Sequence, residues 1–265
     1  MTRQTVPAPA RIPLEHVLPP GPYHHRLRLA RAEVAAFFGP WSPDHALLHQ
    51  RARVIQQTPE RAVLSLPEAE DAIRELLLCA RHWLSPPPEH EAASLAHLGR
   101  QLEPDFILLQ PSDEGPRMVA GVVCFPSSWS PEERLGQTVA AIHDIVPGLN
   151  PALGSAIHGF LSKLQPGVAW LRANWGLSSS PELNQHPARH LRRLAPPPDL
   201  DTLWLRIEHQ ALTRLPLTGA ILFGIRVENR PLRELLHDPP RAAALAEALR
   251  SMPPDMAAYK GLATT

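Results

Sequence analysis

The feature that most constrains this chain is its proline content, 32 in 265 residues. Each proline locks one φ angle and removes one backbone donor, which damages a helix interior or a central strand. Such a chain must be assembled from many short elements. Residues 1 to about 45 are rich in proline and short on periodicity. They read as an irregular arm wrapped on a domain. Helical spacing then appears at 46–56 and 68–83, where Ile73, Leu76, Leu77 and Ala80 share one face. Ser85-Pro86-Pro87-Pro88 ends the second helix, and 91–100 suits a further short one.

The pattern changes at Asp105. Asp105–Gln110 and Arg117–Phe125 are apolar runs separated by Ser112-Asp113-Glu114-Gly115-Pro116, the signature of a hairpin. Ser130-Pro131-Glu132-Glu133 combines an N-cap serine, a proline at the first helical position and a capping-box glutamate. It predicts a helix to about Ile145, ending before Pro147-Gly148. Asn150-Pro151 predicts a second helix to about Leu164. Ala169–Trp175, Thr202–Leu212 and Gly219–Glu228 are strand-like, and Ser178–Asp199 between the first two is loop-rich, with a helical turn expected around Ala188–Leu194. Arg241–Arg250 predicts a closing helix. Two strands, helices, then three strands is the order of a PAS-like unit. The expected fold is α+β: a PAS-like antiparallel five-stranded sheet with inserted helices, plus N- and C-terminal helical extensions. The expected division is an arm with helices over 1–94, packed on the core, and a PAS-like domain with a C-terminal helix over 95–265.

Composition excludes several functions. Lys plus Arg number 26 and Asp plus Glu number 26, so no net field gathers nucleic acid or anionic lipid. No apolar run reaches 18 residues and the first residues, MTRQTVPAPARIP, lack the apolar core of a signal peptide, so a cytoplasmic location is expected. Cys79 and Cys124 are the only cysteines, too few for a four-cysteine zinc site or an iron–sulfur cluster.

Four segments carry the chemistry. They are Val122-Val123-Cys124-Phe125-Pro126-Ser127-Ser128-Trp129 leading into Glu133-Arg134-Leu135-Gly136; Ile142-His143-Asp144-Ile145-Val146-Pro147-Gly148; Leu171-Arg172-Ala173-Asn174-Trp175; and Leu205-Arg206-Ile207-Glu208-His209-Gln210-Ala211-Leu212. The fourth continues as Arg214-Leu215-Pro216 and Gly219-Ala220-Ile221-Leu222-Phe223, and Tyr259-Lys260-Gly261 closes the series. His143 lies near a helix end. There an imidazole is held stiffly enough to ligate a metal, or caps the helix as a cation favoured by the dipole. The strand at 202–212 alternates, with Leu203, Leu205, Ile207, His209 and Ala211 on one face and Trp204, Arg206, Glu208 and Gln210 on the other. That polar face is either solvated or the wall of a polar pocket.

In this order the segments, covering about residues 95–261, resemble the haem-binding subunit of the haem-dependent oxidative N-demethylases. The chain departs from the family pattern at Gln101-Leu102-Glu103-Pro104-Asp105 and at His209, where arginine is common. The resemblance implies a haem b held without covalent attachment, since no C-x-x-C-H occurs. It implies His143 as the iron ligand, with Arg172, Asn174, Trp175 and Arg206 around the cofactor, the arginines facing propionates. Glu208 and Gln210 become the catalytic pair, Glu208 holding a substrate ammonium or moving protons. The implied reaction is a monooxygenase-type oxidative N-demethylation of a small secondary amine such as dimethylamine by O2, releasing formaldehyde. The electrons would come from a separate flavin and iron–sulfur reductase subunit, and a folate-binding subunit would take the formaldehyde. A non-catalytic haem or small-ligand sensor is the alternative that a PAS-like fold brings with it.

Overall fold

The computed structural model describes residues 9–41, 45–84, 93–192, 194 and 199–262. Many of its helices are short, as the prolines require, while its last three strands run to 10, 11 and 11 residues. The first part holds α1 (Leu14–Val17), β1 (Ala30–Ala32), α2 (Val34–Phe38), α3 (Ala46–Gln57), α4 (Pro59–Ala62), β2 (Val63–Ser65), α5 (Glu70–Ala80) and α6 (Leu95–Gln101). The central part holds β3 (Asp105–Gln110), β4 (Arg117–Val122), α7 (Val139–His143), α8 (Leu149–Ser162), β5 (Ala169–Ser178), β6 (Trp204–Arg214) and β7 (Ile221–Pro231). Then come α9 (Leu232–Leu236), α10 (Pro239–Ser251) and α11 (Pro254–Tyr259). The proline run expected to end α5 lies outside the described residues.

The α+β class stands, and all five predicted strands form. The sheet, however, has seven strands in the order β1-β5-β6-β7-β3-β4-β2, all antiparallel. The two beyond the expected five come from the N-terminal part. β1 pairs with β5, Ala30 opposite Leu171, and β2 pairs with β4, Leu64 opposite Gly121. At three residues each they are too short to leave a period-2 signal. The arm is therefore not merely wrapped on the sheet; it supplies an edge of it. Both edge strands cover backbone groups that would otherwise stay unpaired.

Helices lie on both faces. On one, α2, α3, α5 and α6 bury a core including Phe37, Phe38, Leu76, Leu98, Phe106, Leu108 and Leu222. Gly224 of β7 is required there, because a Cβ would lie 2.6 Å from the Phe38 ring. On the other, α7 and α8 pack Ile142, Ile157 and Leu161 over Ile107, Leu109, Leu212 and Ile221. A third cluster joins Leu205 and Ile207 of β6 to Leu232, Leu235 and Leu245.

Two buried ion pairs knit these layers. Asp105 pairs with Arg51 and accepts the backbone N–H groups of Cys124 at 2.7 Å and Phe125 at 2.8 Å. Glu103 pairs with Arg226 and accepts from Trp41 N at 2.9 Å. The segment that departs from the family pattern thus carries structural carboxylates. Burial of an unpaired charge is costly, so each pair must remain complete.

The single helix expected from Ser130 to Ile145 does not form. Pro131–Arg134 makes one 3₁₀ turn, Gly136 turns at φ +83°, and Thr138 then caps α7. Tertiary bonds overrule the capping signal. Met118 N donates to Gln137 O at 2.9 Å, Gly136 N donates to Met118 O at 2.7 Å, and Glu132 turns away to His186 at 3.0 Å. The expected helix α8 begins at Leu149, with Gly148 at φ +69° before it. Asn150, expected as its cap, instead donates from Nδ2 to Ala140 O at 2.9 Å and ties α7 to α8. The helical turn expected around Ala188–Leu194 is a 3₁₀ turn at Pro187–Arg189.

Candidate functional site

The register of β5 against β6 decides which predicted residues meet. Arg172 lies opposite Gln210, Asn174 opposite Glu208 and Gly176 opposite Arg206. Directly opposed residues share a face, so Arg172, Asn174, Arg206, Glu208 and Gln210 stand together. Trp175 pairs with Ile207 and points to the other face. There it packs against the cluster of Leu203, Leu205 and Leu232, while its ring also borders a cleft at the strand edge that Arg172 and Asn174 line. Arg206 is only 4% exposed and Gln210 7%, so this part of the polar face is a buried wall and not a solvated surface.

A hydrogen-bonded chain runs along this wall. Arg206 Nε donates to Ser127 Oγ at 2.8 Å, and Ser127 Oγ donates to Glu208 Oε1 at 2.5 Å. Gln210 Nε2 donates to the other carboxylate oxygen at 2.8 Å, leaving its own Oε1 buried without a partner. The rest of the Arg206 guanidinium serves carbonyls: Phe125 at 2.9 Å, Leu183 at 2.8 Å and Glu182 at 3.3 Å. The arginine expected to face a propionate is thus engaged in holding two loops against the sheet. Ser128, next to Ser127, has φ 61°, a strained conformation for serine. Ser127 was visible in the sequence only as part of a motif. Its role depends on contacts 79 and 81 residues away.

Arg172 is different. Its Nε is buried and has no hydrogen-bond partner. Burial lowers its pKa, and the Glu208 carboxylate opposes the shift. His143, at the end of α7, has a pKa pushed down to about 4, first by burial and second by the Arg172 charge. Its ring is therefore neutral at neutral pH, with a free lone pair. A helix-capping role would need the imidazolium, which this surrounding disfavours. His158, the other histidine of these two helices, is exposed.

The C-terminal tail reaches the same region. Lys260 Nζ donates to Trp175 O at 2.6 Å, and burial lowers its pKa to about 8 against the pull of Glu208. Burial and then Glu208 raise the pKa of Tyr259, although its side chain is 47% exposed. The Tyr259-Lys260-Gly261 motif was the signal for these residues.

Beyond Leu171, where pairing with β1 ends, β5 borders a cleft of about 320 Å³ beneath the N-terminal arm. Arg172, Asn174 and Trp175 reach it from the strand, and His16, Tyr23, His24, His25, Arg26 and Arg28 from the arm. The arm is anchored on both sides. Tyr23 N donates to Ser251 Oγ at 2.8 Å, and His25 Nε2 meets Pro147 O at 2.8 Å. On the opposite sheet face, His209 Nδ1 accepts Ile12 N at 3.3 Å and its Nε2 meets Glu228 at 3.3 Å. The residue that replaces the family's usual arginine thus helps to seat the arm.

A neutral imidazole, a guanidinium whose buried Nε has no hydrogen-bond partner among the described residues, and an orphaned amide oxygen therefore gather at one end of the sheet. The first suits an iron ligand, and the second suits a carboxylate such as a haem propionate. The residues present fit that group. Among the described residues, no helix is long and apolar enough to cross a membrane. A family model described as haem-dependent oxidative N-demethylase, alpha subunit-like, matches residues 80–265.

Proposed function

The chain belongs to the haem-dependent oxidative N-demethylase alpha subunit-like family, and on that premise we propose that it is the haem-binding subunit of an enzyme that demethylates a small secondary amine such as dimethylamine, releasing formaldehyde. The observation that carries this reading is the pairing of His143 with Arg172: a neutral imidazole beside a buried cation that lacks a hydrogen-bond partner. His143 is the iron ligand and Arg172 meets a propionate of haem b. Bound haem would supply the oxygen and one-electron chemistry that oxidises a methyl carbon next to an amine nitrogen.

The chain's own residues supply orientation and proton handling. Glu208 is the group for the substrate ammonium, held in place by Ser127 and Gln210. Gln210 Oε1, free of partners, is a second acceptor for an N–H. Asn174, exposed opposite Glu208, stands at the rim. Arg206 acts through Ser127, as a positioning residue.

The central strands β4-β3-β7-β6-β5, with α7 and α8 between β4 and β5, support reading residues 95–265 as a PAS-like unit on which 1–94 packs. The alpha-subunit description of the family supports separate partners. We assign electron supply to a flavin and iron–sulfur subunit, and formaldehyde capture to a folate-binding subunit. The test begins with haem added to the purified protein. A Soret band is expected, and it should shift in His143→Ala. Formaldehyde release from dimethylamine with a surrogate reductant is expected next. Haem binding without formaldehyde would favour the sensor, and no Soret band would sink both.

A further inference from the structure

We infer that the N-terminal arm, lying before the matched region, completes the cofactor site by holding the acidic edge of the haem in the cleft beside β5. This inference rests on the haem reading above. The cleft lining carries three arginines, Arg26, Arg28 and Arg172, and three histidines, with no aspartate or glutamate among the lining residues. Arg28 has no hydrogen bond or ion pair among the described residues. Arg26 donates from Nε to His24 Nε2 at 2.7 Å and from Nη2 to Pro22 O at 3.5 Å, and has no carboxylate partner among the described residues. Arg172 Nε is buried without a partner.

Guanidinium groups gathered in a concave space whose lining holds no carboxylate repel one another and lose hydration, and of the three only Arg172 feels the Glu208 charge from beyond the cleft. An anion restores both terms. Two carboxylates on one planar ligand match planar guanidinium forks, which bind carboxylates bidentately. The position suits that occupant. Arg172 lines the cleft from the sheet face that α7 and α8 cover. His25 ties the arm to Pro147, in the turn that follows α7. The arm thus spans from the turn beside His143 to the unpaired part of β5. Its base is fixed by the β1–β5 pairing, Ala30 opposite Leu171 and Ala32 opposite Ala169.

The experiment compares haem with its dimethyl ester, whose propionates carry no charge. Each is titrated into the full chain and its dissociation constant read from the Soret band. Haem is expected to bind about tenfold or more tighter than the ester, since charge-assisted bonds are lost in the ester. The double variant Arg26→Glu, Arg28→Glu should weaken haem by about tenfold or more and leave the ester nearly unchanged. The milder Arg28→Gln, checked for an unaltered melting temperature, should move haem in the same direction. Equal affinities for haem and ester, or haem affinity indifferent to both variants, would overturn the inference while leaving a His143-dependent Soret band intact. A wild-type chain that binds neither compound overturns the haem reading and this inference with it.

Discussion

Arg206 and Ser127 lie 79 residues apart and meet at 2.8 Å, Nε donating to Oγ, so that the serine hydroxyl is aimed at Glu208. This contact joins the loop after β4 to β6 and makes the buried polar wall one unit. Arg206→Met keeps the length of the side chain and removes every donor. It leaves the carbonyls of Phe125 and Leu183 without their partner. The expected loss is about 2–4 kcal/mol, a fall in melting temperature of roughly 5–15 °C by thermal unfolding. A variant as stable as the wild type would show that the loops hold themselves.

His143 should titrate far below an ordinary histidine. In the haem-free protein, its ring resonances are expected to move with a midpoint at about 4. Arg172→Leu should raise that midpoint, yet not fully to 6.5, because burial is the larger cause and Arg172 the smaller. A midpoint near 6.5 in the wild type would remove the argument for a neutral ligand ring.

Glu228 makes the protein sensitive to acid. Its carboxyl is held down to about 2, first by the hydrogen bond with His209 and also by Arg230, from the ordinary glutamate value of 4.5. A carboxylate with a depressed folded-state pKa stabilises above its unfolded pKa and loses that contribution as pH falls through the folded one. The contribution is present above 4.5 and fades between 4.5 and about 2. Glu228→Gln should cost about 1–2 kcal/mol at neutral pH, after discount for its partial exposure, and flatten stability across that window. Urea unfolding at neutral pH and at about pH 3 measures both; a variant that keeps the acid limb contradicts the assignment.

Gly224 marks the tightest approach between the sheet and the arm. An added Cβ would lie 2.6 Å from Phe38 and 2.7 Å from Phe37, both fully buried rings packed edge to face at 5.1 Å. Gly224→Ala should cost about 1–3 kcal/mol, because neither ring has space to move into. Denaturant unfolding that returned the wild-type midpoint would show that α2 can shift away.

Much of the fold was legible in the sequence. The apolar runs of β3, β4, β5, β6 and β7 marked the five strands, because short continuous apolar runs set between turn signals suit strands buried on both faces. Alternation in β6 also sorted Arg206, Glu208 and Gln210 onto one face. Three-residue strands such as β1 and β2 leave no period to read, so their pairing with β5 and β4 emerged only from the folded chain. The capping-box signal at Ser130 was a local preference worth about 1 kcal/mol. The hydrogen bonds from Gly136 N to Met118 O and from Met118 N to Gln137 O outweighed it.

The same division holds at the site. Sequence by itself determined which side chains are available and which share a strand face: Arg172 with Asn174, and Arg206 with Glu208 and Gln210. Only the tertiary structure decided their employment. It set the guanidinium of Arg206 on loop carbonyls and left Arg172 without a hydrogen bond. It also put Trp175 on the opposite face, lowered the pKa of His143 and brought the arm's Arg26 and Arg28 to the edge of β5. The physical reason is that hydrogen-bond satisfaction and desolvation depend on neighbours in space. Those neighbours come from loops and segments dozens to hundreds of residues away along the chain.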